Sequence, residues 1–186
     1  MEGYLGMIIT SYTYSQLLTK LDSGPNSRSK GIVTHYNSAV NEDTLVFATI
    51  SKSKGRAGRT YYQYVKFTEL PDKMLSNREM KKFLAGVDIK LFCTCPAFKY
   101  YCAYTANRMK ALQDSPDGSA INTSTPTIRE PQGPACKHLA NVLRILPFNW
   151  NKVIKDLGAF MEDRIIDEVY DADKESSFSS LDIVEI

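Results

Sequence analysis

Three of the four cysteines and one of the two histidines fall in two short stretches, Cys93-Thr94-Cys95 and Cys136-Lys137-His138. Their spacing is C-x-C, a gap of 40 residues, then C-x-H. Thiolate and imidazole are the donors that zinc takes in a tetrahedron, and closed Cys3His sets of this kind are structural. Cys93, Cys95, Cys136 and His138 are therefore the candidate metal ligands. A Cys93–Cys136 disulfide, or burial of all the thiols as small apolar groups, is the alternative that residue types leave open.

The elements around these residues have to bring them together. Val87, Ile89, Leu91, Cys93 and Cys95 alternate with Asp88, Lys90, Phe92 and Thr94, which is the period of a half-buried strand. Both thiols then face one way, about 7 Å apart along the strand, and Pro96 turns the chain to bring them closer. Beyond the second pair, His138, Val142, Ile145 and Leu146 share one side of a helix that Pro147 is expected to terminate. Cys136 and His138 sit at the start of that helix, facing the strand. A metal clip of this kind supplies on the order of 10 kcal/mol of apparent folding energy.

The pattern resembles the SWIM zinc finger, C-x-C followed by C-x-H on a strand-strand-helix unit, and the resemblance covers residues 87–146. It implies a Zn2+ held by Cys93, Cys95, Cys136 and His138, with residues 98–134 as a long insert between the ligand pairs. Within that family the chain is similar to phage-encoded proteins in several stretches. These are Cys95-Pro96-Ala97-Phe98, the aromatic run from Tyr101 to Tyr104, Thr127-Ile128-Arg129-Glu130-Pro131, Cys136-Lys137-His138-Leu139 and Leu146-Pro147-Phe148. That likeness implies a virion protein whose partners are other virion proteins or copies of itself.

Composition sets the outer bounds. At 186 residues the chain can build one domain with a real core, and 43% hydrophobic against 24% charged content is ordinary for a globular protein. No apolar run approaches a membrane span, and residues 1–10 lack the form of a secretory signal. Unpaired thiols suit a reducing compartment and so the cytoplasm, while the phage likeness implies the virion, assembled in the host cytoplasm. The net charge of +2 is unevenly spread: residues 162–186 carry nine acidic residues against Arg164 and Lys174, a net of −7, which leaves +9 on residues 1–161. A basic body with an acidic docking tail is the reading.

Hydrophobic periodicity places the remaining elements. Tyr14, Leu17, Leu18 and Leu21 mark a helix capped by Ser11 or Thr13; residues 31–36, 44–50 and 61–70 read as strands. Ser76-Asn77-Arg78-Glu79 is a capping box, with Leu75 and Met80 as its hydrophobic staple. After Pro147, Asn149 or Asn151 starts a second helix with Ile154, Leu157, Met161 and Ile165 along one stripe. The apolar end, residues 181–186, reads as a docking strand or as a last strand of the domain. Residues 51–60 form a basic hairpin tip in which Lys52, Lys54, Arg56 and Arg59 precede Tyr61, Tyr62 and Tyr64, a pattern able to contact phosphates and stack bases.

The resulting expectation is an α+β fold: a small, mostly antiparallel sheet with helices, pinned by one structural zinc, as a single domain over residues 1–161 with a tail over 162–186. No phosphate-binding glycine loop, nucleophile elbow or H-E-x-x-H helix is present. The function expected is non-enzymatic, with no small-molecule substrate and no membrane partner: a zinc-stabilised assembly protein of a phage particle. The alternative is a nucleic-acid-binding module working through the basic hairpin.

Overall fold

The computed structural model describes residues 12–22, 32, 34–40, 43–50, 58–116, 118–125 and 133–178, with side chains in the last segment described only to residue 162. Lys52, Lys54, Arg56 and the docking segment over 181–186 lie outside the described residues. Four strands form one antiparallel sheet in chain order: β1 (Thr34–Val40), β2 (Thr44–Ile50), β3 (Thr60–Phe67) and β4 (Ile89–Cys93). Helix α1 (Tyr14–Asp22) precedes the sheet and α2 (Asn77–Gly86) links β3 to β4. A π-helical turn (Phe98–Cys102) runs into α3 (Ala103–Arg108), and the long α4 (Lys137–Phe178) ends the described chain. The fold is α+β.

Local chemistry accounts for most boundaries. Thr13 caps α1, its hydroxyl accepting from the Gln16 N–H at 3.3 Å while the Gln16 side chain accepts from the Thr13 N–H at 3.0 Å. The capping box of α2 forms as the sequence predicts: Ser76 Oγ accepts from the Glu79 N–H, and Glu79 accepts from the Ser76 N–H. Strand β1 lies a few residues later than the alternation suggests, and its register shifts between Tyr36 and Ser38, as an extra residue in one strand requires. Strand β3 stops at Phe67 and β4 spans only Ile89–Cys93, so both are shorter than their apolar patterns.

One face of the sheet meets α4, which also packs on α1 and α2. Leu45, Phe47, Val65, Phe67, Ile89 and Leu91 are buried there with Leu17, Met80, Leu139, Leu143 and Leu157. The insert covers β4 from the other side, where Phe98 meets Phe92 edge-on with ring centroids 5.7 Å apart. The second face of β4 is therefore buried at Phe92 while Lys90 on that face stays exposed, and the alternating sequence does not suggest the burial of Phe92. The free edge of β4 is closed by backbone bonds from Leu91 N to Ala111 O (2.7 Å), Gln113 N to Leu91 O (3.1 Å) and Ile89 N to Tyr12 O (3.1 Å).

One expectation fails outright: Pro147 does not end the helix. Helix α4 runs through it for 42 residues. Proline cannot donate to the carbonyl four residues back, which here belongs to Leu143. That carbonyl instead accepts from the Tyr14 hydroxyl at 2.8 Å. Of the expected stripe, Ile154, Leu157 and Met161 are buried on this same continuous helix rather than on a second one, together with Val153, and the side chain of Ile165 lies outside the described residues.

Candidate metal centre

Each candidate ligand is delivered by the end of an element. Cys93 is the last residue of β4 and points inward with Leu91 and Ile89. Cys95 follows in the turn, where its carbonyl accepts from the N–H groups of Phe98 (3.1 Å) and Lys99 (3.2 Å), so Pro96 opens a helical run at the position where its missing N–H costs nothing. Cys136 holds the equivalent place before α4, its carbonyl accepting from Ala140 N at 2.9 Å. His138 lies in the first turn of α4. Two helix starts thus converge on one point, and helix N-termini favour negative charge.

The four residues meet. Cys93 Sγ, Cys95 Sγ, Cys136 Sγ and a ring nitrogen of His138 all lie within 4.8 Å of one another, and all four residues are buried. His138 Nδ1 is 3.9 Å from both Cys93 Sγ and Cys136 Sγ. A tetrahedral zinc with ordinary Zn–S and Zn–N bonds has ligand–ligand edges of about 3.6–3.8 Å, so the cluster is close to the size of such a site. The disulfide alternative is not adopted, since all four cysteines are free.

Surrounding groups fit the sulfurs as thiolates. The Cys95 N–H donates to Cys93 Sγ at 3.5 Å and the Phe98 N–H donates to Cys95 Sγ at 3.4 Å. The Tyr61 ring packs over His138 with centroids 5.2 Å apart and planes 32° apart. Burial pushes the Cys93 thiol well above its ordinary pKa. Burial, followed by the neighbouring sulfurs, does the same to Cys136. Cys95 goes the other way, its thiolate held down by hydrogen bonds from Cys136 and then Cys93. A divalent cation at the centre would let all three sulfurs ionise together.

The fourth cysteine, the second histidine and the hairpin residues separate cleanly from this cluster. Cys102 is buried in the π-helical turn with its thiol pushed up to about 12 by burial, and it is not one of the four clustered ligands. His35 is exposed and pairs across to Ala48. Arg59 is exposed just before β3. Of the three tyrosines read as a stacking platform, Tyr61 is buried against His138 and Tyr64 packs on Phe92 at 5.9 Å, leaving only Tyr62 exposed, at 42%. Inward-facing positions of a strand hold the side chains that meet the core, and Tyr61 shares that face with Gln63 and Val65.

Hydrophobic patterning does not single out Gln63 and Thr49, both of which are buried. Gln63 is wholly buried, with its amide nitrogen 3.8 Å from Cys93 Sγ. Its signal in the sequence is a polar residue in the inward register Tyr61, Gln63, Val65, Phe67.

The site defines an α+β protein with a buried Cys3His cluster able to hold a metal ion. No protein family, curated protein or solved structure matches this chain.

Proposed function

We propose that the chain is a non-enzymatic structural protein whose Cys3His cluster binds one zinc and fastens β4 to α4. The observation that carries this is the meeting of four buried ligand atoms within 4.8 Å, delivered by two segments far apart in sequence. Four protein donors complete a tetrahedron and leave no position for a reacting water, which is the arrangement of structural rather than catalytic zinc. The SWIM-type assignment and the assembly role in a phage particle are carried by the sequence likeness. Among the described residues no helix is long and apolar enough to cross a membrane.

Exposed Arg59 and the 42% exposed Tyr62 favour one second reading, a nucleic-acid contact at the hairpin end of β3. Metal analysis of the purified chain tests the centre: one zinc per chain is expected, with cooperative melting lost on chelation. A chain that purifies without metal and melts identically with chelator refutes it. Light scattering on full-length protein and on a truncation ending at Met161, with and without duplex DNA, tests the role. Self-association lost on truncation supports assembly; a shift only with DNA at low salt supports the second reading.

A further inference from the structure

A wholly buried glutamine in an apolar core needs an explanation, because an amide out of water is costly unless every polar atom is paired. Gln63 has such partners, and they form a line. Asn141 Nδ2 donates to Ile32 O (3.1 Å) and to Thr34 Oγ1 (3.1 Å). Thr34 Oγ1 and Thr49 Oγ1 are 2.7 Å apart, and the Thr49 hydroxyl donates to Gln63 Oε1 at 2.9 Å. Gln63 Nε2 donates to Tyr61 O at 2.7 Å and reaches Cys93 Sγ at 3.8 Å.

The direction of every donor in this line is determined. A backbone carbonyl only accepts, so Ile32 O fixes the Asn141 amide and Tyr61 O fixes the Gln63 amide. Thr49 has one proton and gives it to Gln63, so the Thr34 hydroxyl must be the donor to Thr49. The second N–H of Gln63 is then left for the sulfur. The line starts on α4 one turn beyond His138, crosses β1, β2 and β3, and delivers an N–H to the thiol at the end of β4. It joins the two segments that carry the ligands.

We propose that Gln63 is the positioning residue of the metal centre: it orients Cys93 and stabilises its thiolate, and Thr49, Thr34 and Asn141 hold it in that role. The inference rests on the metal-centre reading above. Three thiolates, a neutral imidazole and a divalent cation leave one net negative charge in a buried site. N–H donors to the sulfurs offset that charge, and outer hydrogen bonds of this type change metal affinity by about 10–100-fold. Gln63 also holds the carbonyl of Tyr61, whose ring packs on His138, so one amide touches the surroundings of two ligands.

The test compares full-length wild type, Gln63→Met, Thr49→Val and Thr49→Ser. Zn2+ affinity is read by competition with a chromophoric chelator, and the sulfur-to-metal charge-transfer band is read with Co2+. Gln63→Met keeps the volume and removes the N–H, so zinc binding should weaken about 10–100-fold and the Co2+ band should move to longer wavelength. Thr49→Val should shift both readouts the same way by less, while Thr49→Ser retains the hydroxyl and wild-type values. Wild-type affinity and an unmoved band in Gln63→Met overturn the proposal. If Gln63→Met does not fold, equal behaviour of Thr49→Val and Thr49→Ser overturns it. A wild-type chain that takes up neither ion refutes the metal-centre reading itself, and this inference with it.

Discussion

The Tyr14 hydroxyl donates at 2.8 Å to the carbonyl of Leu143, the one backbone acceptor in α4 that Pro147 leaves without its helical partner. Tyr14 also meets Trp150 edge-on, with ring centroids 5.8 Å apart. Helix α1 thus repairs a gap in α4 and packs against the turn beyond it. Tyr14→Phe keeps the ring and orphans the carbonyl, which should cost about 1–3 kcal/mol. Pro147→Ala restores an N–H to Leu143, so Tyr14→Phe in that background should cost much less. Denaturant melts of the four proteins measure the coupling, and additive losses would show that the two residues act independently.

Removing a ligand should undo the clip. Cys136→Ser and His138→Ala are each expected to lose the metal and the cooperative melting of residues 92–146, since metal-linked folding energy is on the order of 10 kcal/mol. Metal content and thermal melting check this together. Unchanged melting in both variants would sink the structural-zinc proposal.

Cys102 is the internal control. Its thiol is buried beside the cluster yet outside the ligand set. Cys102→Ala should leave zinc content at the wild-type value, with a modest loss of stability from the vacated volume. Loss of zinc from this variant would mean that the ligand set has been wrongly assigned.

Alkaline pH should weaken the packing of α4 on β1. The Tyr36 hydroxyl donates to Asp156 Oδ2 at 2.7 Å. Burial, then that hydrogen bond and the carboxylate's charge, raise its pKa above the ordinary phenol value. A group whose folded pKa is raised contributes stability that is fully present below its unfolded pKa, about 10 for a phenol. That stability is lost as pH rises further. Stability should therefore fall above about pH 10, and Tyr36→Phe should flatten this limb while being less stable at neutral pH. Identical alkaline profiles in the two proteins would remove Tyr36 as the cause.

The Cys3His cluster was legible in the sequence because metal donors are rare residue types and their spacing is local on each side. Cys93 and Cys95 follow from strand alternation and a proline turn; Cys136 and His138 follow from a helix start. The path of α4 through Pro147 was not legible, because its compensation comes from Tyr14, 129 positions from the Leu143 carbonyl that it satisfies. Gln63 was hidden for a related reason: one polar residue in an alternating strand looks like imperfect patterning until Thr49 and Cys93 are placed beside it. The late position of β1 depends on the irregular pairing between Tyr36 and Ser38, which no hydrophobic period encodes. Burial of Phe92 on the second face of β4 likewise needs Phe98 folded back over it.

A cluster that joins Cys93 and Cys95 to Cys136 and His138 makes everything between the two pairs a closed ring of chain. The entropy of closing such a ring grows only with the logarithm of its length, about 0.6 kcal/mol for each doubling. Extra residues placed in the outer part of the ring should therefore cost little, and the segment is a natural place to graft foreign sequence. A single protease cut there would yield two pieces still held together by the packing of α4 on the sheet, and a metal bound at the cluster would add a second tie.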